Sequence, residues 1–269
     1  MGGPPGPAAR AGVSDLALPQ AGRARRGRAV DALLVGAGLL GLWQTVGDWT
    51  GGIALAPPWS TLAYLAELVR TGMFWGHVGA TAGAFLLAFA LSAVIGLGLG
   101  LVLGLHRFAA EVAEPVLAGF YTVPKVTLYP VVLLVFGLGM PAKVAFGVMH
   151  GLVPVTLFTL GAVQGLPPVL MRTARAMRLT GRQAVVSVLV PACLPGIMDG
   201  LRVGFSLSLL GVLIGEMFSS QRGLGFLLVN GLAQHNVRLT TAVVLVVVVG
   251  AVVANTAVLR LGQRVTRRG

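Results

Sequence analysis

A single cysteine, Cys193, in 269 residues excludes an intrachain disulfide. Charge is also scarce. Asp, Glu, Lys and Arg make up 10% of the chain, where soluble domains run near ~25%, so an ordinary soluble fold is excluded. Acidic residues number only 8, and lysine occurs only at Lys125 and Lys143. Neither lysine follows glycine, so the Gly-Lys-Ser/Thr of a phosphate-binding loop is absent. His77, His106, His150 and His235 are far apart, which leaves no metal-ligand spacing and no cofactor site. No Ser/His/Asp grouping suggests a hydrolase. The chain reads as a non-enzyme.

What remains is apolar. Hydrophobic residues are 56% of the chain, and mean hydropathy is +0.88. The net charge of +12 would suggest nucleic acid in a soluble domain. Here the bases lie between long apolar runs, with no base-plus-aromatic motif, so they mark membrane topology instead. A spanning helix needs roughly 20 apolar residues. Charge-poor runs predict six spans, at about 29–47, 78–104, 124–140, 142–164, 196–218 and 239–261. Continuous apolar stretches such as Val243–Val249 oppose barrel strands, which alternate in polarity. The predicted fold is an all-α polytopic helical bundle in the lipid bilayer. Its transmembrane domain covers 29–262, between a disordered basic tail at 1–28 and a basic tail at 263–269.

Arginine placement orients the bundle. With six spans, Arg10, Arg23, Arg25, Arg26, Arg28, Arg107, Arg172, Arg175, Arg178, Arg182, Arg260, Arg264, Arg267 and Arg268 share one side. The other side holds Arg70, Lys143, Arg222 and Arg238. This bias predicts a plasma-membrane protein with both termini in the cytoplasm. A signal-peptide reading, with Ala54-Leu55-Ala56 as cleavage site, is disfavoured by Pro57 and by the long stretch Asp48–Gly52.

Several features within the spans carry two readings each. Gly96, Gly100 and Gly104, four apart, leave one helix face bare for close packing within a bundle or across a dimer. Gly79 and Gly83 repeat the spacing. Pro124, Pro130 and Pro141 interrupt the third span, either as simple kinks and a hairpin or as an irregular wall of a pathway. His150 and Glu216 are ionisable within apolar spans and so are functional candidates. The alternatives are an interhelical hydrogen bond for His150 and a snorkelling interfacial position for Glu216. Asp199 and Arg202, three apart, can pair on one helix turn.

The segment Leu166–Pro195 is too polar to span and too patterned for a linker. Leu170, Ala174, Met177 and Val185 recur at near-helical spacing, with four arginines between them. Thr180-Gly181 interrupts the pattern as a turn between two short helices would. Pro191 and Pro195 are expected to stop the chain before the fifth span. Alone, this reads as a basic amphipathic helix on anionic lipid or as a docking helix for a cytoplasmic partner.

The segment resembles the cytoplasmic EAA loop of ABC importer permeases. That loop runs Glu-Ala-Ala, three residues, Gly, nine residues, a β-branched residue, one residue, then Leu-Pro. Ala174, Val188 and Pro191 match, while Arg172 replaces the acid, Arg178 the glycine and Val190 the leucine. Gly181 offers a turn three residues later. Pro191 to Arg202, PACLPGIMDGLR, is similar to a stretch of the nitrate/sulfonate/taurine-type permeases. So are Glu216-Met217 and Gly223-Leu-Gly-Phe-Leu227. Pro115, Pro124, Pro130, Phe136-Gly137 and Gly139 follow the same family's pattern more loosely. The matches cover about 77–260.

The resemblance implies a MetI-like permease fold and a homodimer that forms the pathway for a small anionic, nitrate-, sulfonate- or taurine-like solute. It implies a separate cytoplasmic ABC ATPase and an extracytoplasmic substrate-binding protein. On this basis Ala174, Met177, Arg178, Leu179, Thr180, Gly181, Arg182 and Pro191 form the ATPase-docking loop. Pro124, Pro130, His150, Glu216 and Met217 are assigned to the translocation pathway. The alternative is an ATP-independent secondary transporter or channel. It is opposed by the lack of a clear mid-span acid and of a visible inverted repeat.

Overall fold

The computed structural model describes residues 20–266. The expected tail at 1–28 lies outside these residues up to position 19. Its remainder is helical, because α1 runs from Gln20 to Trp49.

The chain separates into one unit through Ser60 and another from Thr61. In the first, α1 carries the first apolar run, with Leu33, Leu34 and Leu39 exposed along it. Gly51 and Gly52 take positive φ and reverse the chain after α1. The returning strand of backbone is fixed by Trp43, whose indole N–H donates to the Ala56 carbonyl at 2.9 Å.

The second unit is helical throughout its described residues. It comprises the end of α2 (Pro58–Leu68), α3 (Gly72–Leu105), α4 (Arg107–Thr122), α5 (Tyr129–Phe136), α6 (Met140–Gln164), α7 (Pro168–Ala176), α8 (Gly181–Ala184), α9 (Val190–Ser219), α10 (Leu224–Ala233) and α11 (Val237–Thr266). A π turn at Val185–Leu189 joins α8 to α9, so Gly181–Ser219 is one 39-residue helix. Among the described residues, four helices are long and apolar enough to cross a bilayer: α3, α6, α8–α9 and α11. The pair α4–α5 makes a fifth if counted as one broken span, bent by 88°.

Two expectations are corrected here. Residues 124–140 are not one span. A 3₁₀ turn at Lys125–Leu128 leads into an eight-residue α5. Gly137 (φ 72) and Gly139 (φ 104) then turn the chain sharply into α6. Proline at 124 starts a helix readily but cannot continue one, and the paired positive-φ glycines end α5. Likewise, Pro191 and Pro195 do not stop the chain. The wider π turn ends at Leu189, and Pro191 follows at the start of α9, where its missing N–H costs least.

The core is α6 lying along both α3 and α9. A Cβ on Gly96, Gly100 or Gly104 would come within 2.8, 2.5 and 2.7 Å of Val155, Thr159 and Val163 on α6. The α3 glycine face therefore meets a helix of the same chain. Gly79 has open space around its Cβ position, and Gly83 meets only Met140 at 3.7 Å, so the close approach does not extend to them. On the other flank of α6, Cβ atoms at Gly200 and Gly204 would lie 2.7 Å from Phe158 and 2.4 Å from Val155. Such backbone-to-side-chain approach replaces the missing hydrophobic drive between helices in lipid with dispersion contact.

Candidate functional site

The hairpin on one end of the bundle is specified largely by local chemistry. Helix α7 buries Ala174, which is 2% exposed, and leaves its arginines outward. Its base rests against the cluster of Val163, Leu189, Cys193 and Ile197, with Met171 and Val185 packed on it. The helix ends in a Schellman motif. The Leu179 N–H donates to the Ala174 carbonyl at 3.1 Å, and the Arg178 N–H donates to the Arg175 carbonyl at 3.0 Å. This places Arg178 in the left-handed region, φ 54. The residue that stands at the motif's glycine position thus adopts the backbone that favours glycine. Gly181, by contrast, sits at the first position of α8 with open space around it, so the sharp turn occurs at Arg178 and not three residues later.

Thr180 then starts the next helix with a full capping box. The Gln183 N–H donates to Thr180 Oγ1, and the Thr180 N–H donates to Gln183 Oε1 at 2.9 Å. From Arg175 to Arg182 every residue but Leu179 is exposed, and Leu179 is half-buried. Met177 shows 67% of its surface. Pro191 is exposed on the first turn of α9. Asp199 and Arg202 make no ion pair, since the pairs among the described residues are Arg107–Glu111 and Lys143–Glu216.

A second polar site lies where α9 ends. Glu216 is fully buried, which rules out snorkelling. Thr81 on α3 donates its hydroxyl to Glu216 Oε2 at 2.8 Å, and the Gly225 N–H donates to the same oxygen at 3.0 Å. Lys143 Nζ stands 3.7 Å from Oε1 and donates to the Arg222 carbonyl at 2.7 Å. Lys143 is only 5% exposed and lies in the first turns of α6, within the expected fourth span.

The strap Ser220–Gly223 is bound down at several further points. The Gly223 N–H donates to His77 Nδ1 at 3.0 Å, and the Leu224 N–H to Thr81 Oγ1 at 2.8 Å. Tyr129 donates to the Gly215 carbonyl at 2.7 Å, tying α5 to the end of α9. The Gly-Leu-Gly element has a steric cause. A Cβ at Gly223, where φ is 129, would lie 2.1 Å from the Glu216 carboxyl carbon, and one at Gly225 would lie 2.4 Å from the Leu213 carbonyl oxygen.

His150 is buried on α6, with Nδ1 2.9 Å from the Phe146 carbonyl within its own helix. The Gly211 Cβ position is 3.0 Å from that nitrogen. Met217 is 37% exposed beside the buried Glu216. Pro124 stands at the α4–α5 break and Pro130 in the first turn of α5. The structure therefore joins Glu216 to Lys143 and Thr81, with His77 holding the adjoining strap at Gly223, while His150, Pro124 and Pro130 lie elsewhere. The residues missed from sequence are Thr81 and Lys143 as partners of the acid and His77 as the partner of the Gly223 amide. A signal existed: His77, Thr81, Phe85, Ala88, Ser92 and Gly96 recur every three or four residues and form the buried face of α3.

The described residues form a polytopic helical bundle that carries an exposed, capped hairpin between two of its apolar helices. Residues 92–268 match the family described as binding-protein-dependent transport system inner membrane component, and the chain belongs to that family: it is an inner-membrane ABC importer permease for small solutes. It is 27% identical over 211 residues to a putative aliphatic sulfonates transport permease of Bacillus subtilis, covering 78% of this chain and 76% of the relative. It is 28% identical to the taurine transport permease of Escherichia coli, with 70% and 71% covered. It is 30% identical to the riboflavin transport permease of Chloroflexus aurantiacus, with 71% and 72% covered. Its fold is similar to that of an inward-facing MetNI methionine ABC transporter structure, at a TM-score of 0.59 and 20% identity, covering 72% of this chain and 98% of that one. Family membership sets aside the ATP-independent carrier.

Proposed function

We propose that two copies of this chain form the pathway for a small anionic solute, and that a cytoplasmic ATPase subunit drives it by gripping the hairpin at 166–195. The observation that carries this reading is the exposed turn Met177–Arg182. It is held rigid by a Schellman motif on one side and a capping box on the other, above an apolar base at Ala174, Leu189 and Cys193. A coupling element must be exposed to be gripped and stiff to transmit motion. Its base must also continue into a span, as α8–α9 does.

The arginine bias supports a cytoplasmic hairpin and cytoplasmic termini. An extracytoplasmic binding protein then delivers solute at the opposite end, where the Glu216 network holds the strap. The pathway is assigned to Pro124, Pro130, His150 and Met217, with Glu216 fixing its outer end. Relatives named for sulfonates, taurine and nitrate support an anionic cargo. The decisive experiment is co-purification. Gly181→Trp, whose side chain meets open space, should insert normally but fail to capture the ATPase. Wild-type recovery of the complex would overturn the docking assignment.

A further inference from the structure

The hairpin at 166–195 carries four arginines and no acid, and the chain has no Asp or Glu anywhere between Glu114 and Asp199. Arg172, Arg175, Arg178 and Arg182 are all exposed. Among the described residues none of them pairs with a carboxylate. Arg175 Nε donates to the Met171 carbonyl at 3.3 Å, one turn back in its own helix. The guanidinium groups of Arg172, Arg178 and Arg182 have no hydrogen-bond, ion-pair or ring partner among the described residues. Topology asks only for positive charge near the span ends. It does not ask for an arginine at φ 54, where glycine would sit without strain. Arg178 bears that strain on an exposed turn, with a side chain that bonds to nothing in its own chain.

Two kinds of surface take such charges, anionic lipid and acidic protein. A helix that lies on lipid turns its apolar face into the headgroups. Here that face is used up inside the bundle: Ala174 is buried, and Met171 and Val185 pack on Leu189, Cys193 and Ile197. What the hairpin presents outward is arginine, together with the exposed Met177, flanked in the chain by Arg175 and Arg178. An apolar residue set between fixed cations is complementary to an apolar hollow rimmed by carboxylates. We infer that the cleft receiving this hairpin is acidic, and that Arg172 and Arg178, standing where the resembled loop has an acid and a glycine, select an ATPase subunit with carboxylates at the facing positions. This rests on the proposed docking of the hairpin and adds the chemistry of the partner. A cleft built to meet an acid at position 172 would leave its own charge unmatched here.

The test is the affinity of the full chain, in nanodiscs of phosphatidylcholine, for the ABC ATPase subunit that co-purifies with wild type, expressed and purified on its own. It is measured over rising sodium chloride. Wild-type affinity should fall steeply as salt screens the charges. Arg172→Glu should weaken binding about tenfold or more at low salt, and its affinity should depend less on salt. Changing a facing carboxylate of the ATPase cleft to lysine should restore part of that loss. Arg178→Gly separates the side chain from the turn. It relieves the left-handed backbone, so an arginine that only shapes the turn predicts equal or tighter binding. An acidic cleft predicts binding about tenfold weaker, with Arg178→Lys recovering part of it. Equal affinity of wild type, Arg172→Glu and Arg178→Gly, or an affinity indifferent to salt, overturns the inference. Phosphatidylglycerol built into the discs is the lipid arm: if it abolishes capture by wild type and spares Arg172→Glu, the arginines belong to the membrane surface and the inference also falls. Capture lost with Gly181→Trp but kept by both arginine variants strikes the acidic cleft and leaves the docking. Capture kept by Gly181→Trp strikes the docking itself.

Discussion

The two polar ends of the bundle are built on opposite principles. The hairpin at 166–195 is held by bonds between near neighbours: Thr180 with Gln183, Arg178 with Arg175, Leu179 with Ala174. The Glu216 lock is held by residues far apart in the chain, with Thr81 135 positions from Glu216 and His77 146 from Gly223. The first is exposed and can be altered piece by piece. The second is buried, so each member depends on the others being satisfied. A segment that must be grasped from outside is well served by local rigidity. A junction that must hold four elements in register is better served by a buried network.

The largest effect should come from adding a methyl group to the lock. Gly223→Ala would place Cβ against the Glu216 carboxyl group at a positive-φ position. It should cost about 3 kcal/mol or more, read as a lowered melting temperature in detergent. Gly181→Ala, in open space on the hairpin, should change it by less than ~0.5 kcal/mol. Similar losses at both glycines would erase the contrast between the two ends.

Next in size is the charge itself. Glu216→Gln leaves Lys143 buried without its carboxylate and should cost about 3 kcal/mol or somewhat less. Lys143→Met combined with Glu216→Gln should recover part of that loss. We also expect Glu216→Gln to alter uptake more than assembly with the ATPase. Unchanged uptake would reduce the lock to a purely structural role.

Smaller effects are expected at the hairpin. Thr180→Ala removes the cap and should loosen α8 by about 1 kcal/mol. Faster amide exchange should be confined to the residues from Gly181 to Ala184, with the bundle's melting temperature unmoved. Arg178→Gly relieves a left-handed arginine and should slow exchange at the Leu179 amide, by an amount equivalent to about 1 kcal/mol. Faster exchange at Leu179 would show that the arginine side chain, and not the backbone turn, holds that corner.

Much of this is legible in the residues alone, where physics acts over short distances. Apolar runs long enough for a bilayer imply helices, since lipid cannot satisfy an open backbone. The spacing of Gly96, Gly100 and Gly104 implies a bare face, and Thr180-Gly181 reads as a turn between two short helices. Other features needed three dimensions. That α6 fills the α3 glycine face, that Lys143 is buried beside Glu216, and that Pro191 and Pro195 are carried by one continuous helix all depend on how separate segments meet. The pairing of Glu216 with Lys143, His77 with Gly223 and Thr81 with both Glu216 and Leu224 joins residues that no local pattern connects. Period and propensity act along the chain, whereas the cost of an unsatisfied buried charge is decided by whatever the fold brings beside it.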